Sequence, residues 1–532
     1  MRFRTLIVFL VLLIPSALYV WKNPDMPEFG RLHDDGLLLV SAKGLADGEG
    51  FRVLNLPEQP AQTKYPVLYP LYLSLVWRLN PHFPANLWTA RVFNWILLVT
   101  CLILSWIYYR KEGFSELRTT ILVALLGLNP YMILFGTNNF SEVFFMCWLV
   151  GVFILAHSKA AHIAILAGAT AGFAYLSRTA GIALLFSMPA WYAWRRESRR
   201  AIEFVAGMIP FIAGWMWWSR NHILHTADQT LIYYTDYVKM EFLTVGLDNL
   251  HIVLWKNIDG ILYGMGSLAI PQVFAILPVK ILTQVVGVAM ISGTVRLFRR
   301  GTAVPYCFFA IVSSAMLAVW HFPPNERFVL PLCPLLLAGL LAELDHLALM
   351  IKSSLCHKDA GQRVAASGMA AVLGAMLIGA LTLQFFMSFG FLYDSARQYR
   401  TKLVDMRVAY AWIAANVPES AKVLSNDDPI LYLYTGRRGH VVPLVPRSWY
   451  ANDHASTVKA YRDIASYCRS NGFEYFYSNT DDTSRWTNDP LEIEGVRQAV
   501  RDNPELTPVF EYGFGTVYKV ASAPQPIATS RR

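Results

Sequence analysis

Charge is scarce in this sequence. Only 16% of its 532 residues are Asp, Glu, Lys or Arg, against about 25% in soluble domains. The shortfall is uneven. Up to residue 388 long apolar runs alternate with short charged punctuation; beyond it the chain reads like an ordinary soluble domain. Cysteine is also sparse, with six in all and no C-x-x-C pair, so a zinc ribbon or dithiol redox centre is excluded. Cys101, Cys147, Cys307 and Cys333 lie in apolar runs and Cys356 in a charged loop. Cys468 alone falls in the C-terminal region, which therefore has no internal disulfide. There is no GxxxxGK[ST] loop to cradle a nucleotide. The net charge of +9 does not point to nucleic acid, because the basic residues sit in short clusters between apolar runs, as topology determinants do. The N-terminal MRFRTLIVFLVLLIPSALYVW lacks a clear small-x-small cleavage site, and a retained first helix is expected.

What is present is a succession of apolar runs near 5–21, 88–108, 118–135, 142–158, 161–177, 180–194, 201–218, 279–298, 303–320, 327–342 and 366–388. A spanning helix takes roughly 20 such residues, so the pattern predicts a polytopic α-helical membrane protein of about 11 spans. Lys and Arg orient it. With the N-terminus inside, the inner loops hold Arg110, Lys111 and Arg118, then Lys159, the Arg195–Arg200 cluster, Arg296–Arg300, and Lys352, Lys358 and Arg363. The short outer loops hold only Arg178 and Arg327. The run 261–278 is read as re-entrant or interfacial, since a further span would place Arg296–Arg300 outside. Residues 389–520 then form an extracytoplasmic α/β domain. Within it 398–416 has helical period, AKVLSNDDPILYLYTG contains two strands about a turn, and FEYFYSN and TPVFEYGFGTVYKV add strands and a hairpin. The tail 521–532 is expected to be disordered. Residues 1–388 constitute the membrane region, with two long outer loops at 22–87 and 219–278, a length uncommon without a function. The aromatic and proline-rich segment 65–72 suits the membrane interface.

The outer loops carry the chemistry-bearing residues. Asp34 and Asp35 form an acidic pair that offers a general base or a metal ligand, or simply solvated loop acids. Lys64 precedes the aromatic-proline segment and reads as a point charge for a lipid phosphate or as a headgroup anchor. Glu142 opens a strongly apolar helix. It is either a dipole-favoured residue behind a Ser141 or Asn139 cap, or a functional carboxylate at membrane depth. Arg178 and Arg327 run against the inside-positive bias; each either snorkels or captures phosphate oxygens. His222, His225, Asp228 and Asp236 are weaker candidates for acceptor binding, and Glu326 is a candidate partner of Arg327. Two arginines, a lysine and three carboxylates on one side describe a site for an anionic lipid beside an acid/base group.

In order, these segments resemble the GT-C superfamily of integral-membrane glycosyltransferases. The likeness is to the branch holding aminoarabinose-to-lipid-A transferases, protein O-mannosyltransferases and Rgt-like transferases. Asp34-Asp35 followed by GLLLVSAKGLADGEGF, then TKYPVLYPLYLSLVWRL, NNFSEVFFM, YLSRTAGIALL and ERFVLPLCPLLL correspond to the family's successive motifs. The family often has Asp-Glu at the first position, which leaves open which of Asp34 and Asp35 is the base. The resemblance implies a hexosyl or pentosyl transferase at the extracytoplasmic face. It implies inverting transfer from a polyprenyl-phosphate-linked sugar to a lipid, glycan or protein acceptor. It implies Asp34 or Asp35 as base, Glu142 in support, and Lys64, Arg178 and Arg327 on the donor phosphate. No cofactor is certain; some relatives place a divalent metal at the acidic pair, for which Asp34, Asp35 and Glu142 would be the ligands. A transporter or lipid flippase and a lipid-linked glycan polymerase or ligase are the competing readings. The former lacks its usual internal repeat here.

Overall fold

In the computed structural model residues 3–271, 277–355, 360–442, 450, 452–479, 482 and 489–521 are described. Cys356, the tail from 522 and part of the 261–278 run lie outside them. All eleven apolar runs are helical. Among the described residues four helices, Asn86–Lys111, Ser198–His222, Leu277–Arg299 and Glu326–Ser353, are long and apolar enough to cross a membrane by themselves. The chain is a multi-pass membrane protein.

The run at 118–135 departs from the sequence expectation of one straight span. It is two helices, Glu116–Gly127 and Pro130–Thr137, bent by 59°. Proline has no N–H and pushes its predecessor out of the helical region. Asn129 accordingly is extended, and its side chain caps the new helix by accepting from the N–H groups of Tyr131 and Met132. Its amide also donates to the carbonyl of Leu268 at 2.7 Å, tying the kink to the end of helix Leu250–Ser267.

The first outer loop is not irregular chain. It contains helices Asp34–Asp47 and Leu68–Leu79. On the second, Leu71, Leu75 and Leu79 stand exposed at i, i+4 and i+8, an apolar stripe suited to a lipid interface. The opposite face is buried: Tyr69, Leu73 and Trp77 share one core with Leu38, Tyr410, Ile413, Ile430 and Tyr477. The first outer loop and the C-terminal region therefore fold against each other.

Helix Ala360–Asn416 runs unbroken for 57 residues, joining the apolar run at 366–388 to the helical period at 398–416. Beyond it come β1 (Lys422–Ser425), β2 (Phe473–Asn479), β3 (Leu506–Tyr512) and β4 (Gly515–Val520). Their order in the sheet is β1-β2-β4-β3, with β1 parallel to β2 and the rest antiparallel. The expected hairpin is β3–β4. The second strand expected within AKVLSNDDPILYLYTG is instead a helix, Asp428–Thr435. Pro429 in its first turn and the left-handed Gly436 after its last residue define it.

Candidate active site

The chain leaves its first helix at Lys22 and turns back through left-handed Gly30 (φ 92°) and His33 (φ 63°) into the helix that Asp34 opens. Asp35 holds this turn closed. Its two carboxylate oxygens accept from the N–H groups of Gly30 (2.7 Å) and Gly36 (3.0 Å), and the residue is fully buried. Burial pushes its carboxyl up to about 6, against the pull of the two N–H groups and with help from Asp34. A carboxyl raised on folding contributes most below its unfolded value, and that contribution is lost as pH rises through the folded one. Asp35 by itself should thus take about 3 kcal/mol from the native fold as pH rises from roughly 4 to above 6. Asp35→Asn should flatten that slope in thermal unfolding of the purified protein; an unchanged slope would assign the titration elsewhere.

Asp34 faces the other way. Arg327 donates to its Oδ2 at 2.9 Å and the Tyr65 hydroxyl to its Oδ1 at 2.5 Å. Burial pushes the Asp34 carboxyl up, but Arg327, Lys64 and the Tyr65 hydroxyl outweigh it and hold the group below its ordinary value. It is a carboxylate at neutral pH. Arg327 also donates from Nε to Glu142 and lies over the Phe140 ring at 4.9 Å. Its partners are thus Asp34 and Glu142 rather than Glu326. Glu142 takes a second arginine, Arg178, at 2.6 Å, and Arg178 donates to the Ser141 hydroxyl at 3.1 Å. Ser141 occupies the cap position without capping, and the Asn139 side chain accepts from Asn94. The capping reading of this segment gives way to a Glu142 carboxylate held between two guanidiniums. The Lys64 ammonium sits 3.6 Å from the centre of the Tyr233 ring and 3.8 Å from Glu241. Burial lowers the lysine and raises the glutamate, each partly offset by the other.

Asp34, Lys64, Arg178 and Arg327 line one cavity of about 490 Å³, within the usual range for small-molecule sites. Asp35 and Glu142 stand behind its wall. Sequence reasoning missed Tyr233, Tyr237 and Glu241, which enter from the second outer loop, and Lys402, Asn426 and Asn479 from the C-terminal region. None of the weaker candidates lines the cavity, although His321, a few residues before Arg327, does. His222 stacks on Trp218, Asp228 caps helix Gln229–Thr235, and Asp236 accepts from the N–H of Lys239; His225 is solvent-exposed. The loops assigned to the inner side gather elsewhere, with His157, Lys159, Arg195 and Arg200 around a separate cavity.

The three carboxylates do not fit a metal site. Arg327 stands between Asp34 and Glu142, and Asp35 spends both oxygens on backbone N–H groups. No group of three or more His, Cys, Asp or Glu among the described residues is arranged to hold an ion.

No protein-family model matches the chain, and no curated protein matches it by sequence. Solved structures do. It superposes on ArnT, an aminoarabinose transferase from Cupriavidus metallidurans solved bound to undecaprenyl phosphate. The TM-score is 0.55 at 14% identity, covering 99% of this chain and 100% of that one. It also superposes on the Archaeoglobus fulgidus oligosaccharyltransferase tethered to an acceptor peptide containing the NVT sequon. There the TM-score is 0.51 at 13% identity, covering 99% of this chain and 75% of that one. At these identities the likeness is one of architecture. The chain has the fold of the GT-C membrane glycosyltransferases.

Proposed function

We propose that this protein transfers a sugar from a polyprenyl-phosphate-linked donor to a lipid, glycan or protein acceptor at the extracytoplasmic face of the cell membrane. The observation that carries the reading is the meeting, in one cavity, of Asp34 with Lys64, Arg178 and Arg327 from distant parts of the chain. The fold shared with ArnT bound to undecaprenyl phosphate supports the choice of donor. Eleven spans with the N-terminus inside put this cavity and the C-terminal α/β domain outside.

In this reading the donor phosphate settles against the cations. Arg327 spends Nε and one Nη on carboxylates, and a guanidinium has five N–H donors in all. Preorganised positive charge stabilises the departing phosphate as the glycosidic bond breaks. Asp34 accepts the proton of the acceptor hydroxyl as that oxygen attacks the anomeric carbon from the opposite face, inverting it. Asp35, held on the backbone, shapes the turn that presents Asp34, and Glu142 fixes the two arginines.

The deciding experiment compares a deletion strain with its complemented parent by mass analysis of envelope glycolipids and glycoproteins. The expected result is loss of one pentosyl or hexosyl increment from one acceptor class. Loss of a whole oligosaccharide would favour a polymerase or ligase. Movement of a lipid in proteoliposomes without covalent transfer would favour a flippase and overturn the reading.

A further inference from the structure

Asp428 opens the C-terminal helix Asp428–Thr435, far in sequence from the candidate site, and is 1% exposed. Three donors from other parts of the chain converge on its carboxylate. His33 meets Oδ1 through Nε2 at 2.6 Å, the Tyr234 hydroxyl donates to Oδ2 at 2.9 Å, and the Asn55 amide donates to Oδ2. Tyr234 in turn accepts from the N–H of Val441 at 2.9 Å, which locks the cluster to the C-terminal region. The approach is close. A methyl group at Gly36 would lie 2.8 Å from Ile430 and 2.9 Å from Pro429, and one at Gly30 would lie 2.9 Å from Ile430. The C-terminal helix thus rests directly on the backbone of the turn that carries Asp34 and Asp35.

The cluster continues through the His33 ring. Its Nε2 meets the Asp428 carboxylate, and its Nδ1 faces the Tyr233 hydroxyl at 3.1 Å. The ring of the same Tyr233 is the face against which the Lys64 ammonium rests at 3.6 Å. We infer that Asp428 is a positioning residue for Lys64: through the His33 ring and the Tyr233 hydroxyl it holds the aromatic face that holds the lysine. Lys64's service to the donor phosphate rests on the function proposed above; its placement by Asp428 does not.

The test reads Lys64 without any donor. The purified full-length protein is treated with an amine-reactive N-hydroxysuccinimide ester at fixed pH, and modification of the Lys64 peptide is followed by mass spectrometry. Asp428→Asn replaces the carboxylate that holds the His33 ring with an amide; Tyr233→Phe keeps the ring and removes the hydroxyl. Each should raise the Lys64 rate about fivefold or more, and the double variant should do no more than either single one, as for links of one chain. Where the protein transfers sugar, both should lower kcat/KM about tenfold, the scale of a desolvated cation–π contact. Lys64 rates within twofold of the unaltered protein in Tyr233→Phe, or effects that multiply in the double variant, would overturn the relay. Should Asp428→Asn fail to fold, Tyr233→Phe decides alone. An altered Lys64 rate in a protein that transfers no sugar would retain the relay and remove only the proposed function.

Discussion

Asp34→Asn should lower transfer by roughly 10²–10⁴-fold, the usual contribution of a positioned general base. The substitution keeps the shape and removes the charge. Asparagine cannot take the acceptor's proton, and its single oxygen cannot satisfy both Arg327 and the Tyr65 hydroxyl, which now hold one carboxylate oxygen each. The sign of the binding effect separates this role from a structural one. Asp34 is an anion in direct contact with a cation assigned to the donor phosphate, so its removal should leave donor KM unchanged or lower it while kcat falls. Steady-state kinetics on the folded variant, checked by thermal unfolding, decide the matter. Normal turnover in Asp34→Asn would return the assignment to open ground. If Asp35→Asn then abolished transfer with its unfolding profile intact, the neighbouring acid would take the role, although its two oxygens face backbone N–H groups.

The second large effect belongs to Arg327. It is 8% exposed and bridges Asp34 to Glu142, itself fully buried. Breaking a buried ion pair by removing one partner costs about 3–5 kcal/mol, because the other charge is left uncompensated. Arg327→Gln should therefore lower stability by about that amount and also abolish measurable transfer. Arg178→Gln should cost less, since Arg178 is the more exposed of the two and Glu142 would keep Arg327. Arg327→Lys should recover part of the stability and little of the activity, because an ammonium cannot fork between two carboxylates as a guanidinium does. A compensating Asp34→Asn in the Arg327→Gln background should restore part of the stability without restoring transfer, because Glu142 still pairs with Arg178. If the pair of substitutions instead restored activity, Arg327 would be a structural counter-ion and nothing more.

These residues were legible because charge in an apolar chain is conspicuous. Asp34, Lys64, Arg178 and Arg327 stood out in outer loops where little else is ionic, and their shared side followed from where the remaining Lys and Arg lie. Their meeting in one cavity was a topological expectation, fixed by loops that must emerge on one face. What the sequence hid were contacts with no period or spacing behind them. Tyr233 and Glu241 reach Lys64 across more than 160 positions, and nothing local marks a tyrosine as the floor under a lysine. Helix Asp428–Thr435 was hidden differently. Its run of Ile, Leu and Tyr suits a buried strand as well as a buried helix. The decisive signs, Asp-Asp-Pro at its start and Gly436 at its end, are helix-end signals read there as a turn. The kink at Asn129-Pro130 carried the same kind of sign.

The 57-residue helix Ala360–Asn416 sets a rule for how the chain can change in length. A flexible linker absorbs an added residue at little cost, whereas an α-helix converts it into rotation of about 100° and a rise of about 1.5 Å. One residue inserted midway would swing Asp428, and with it the grip on His33, well away from the turn that bears Asp34. Seven would nearly restore the angular phase yet lift the whole unit by about 10 Å. This segment is a ruler, and insertions tolerated at the exposed loops of the same protein should find no room along it.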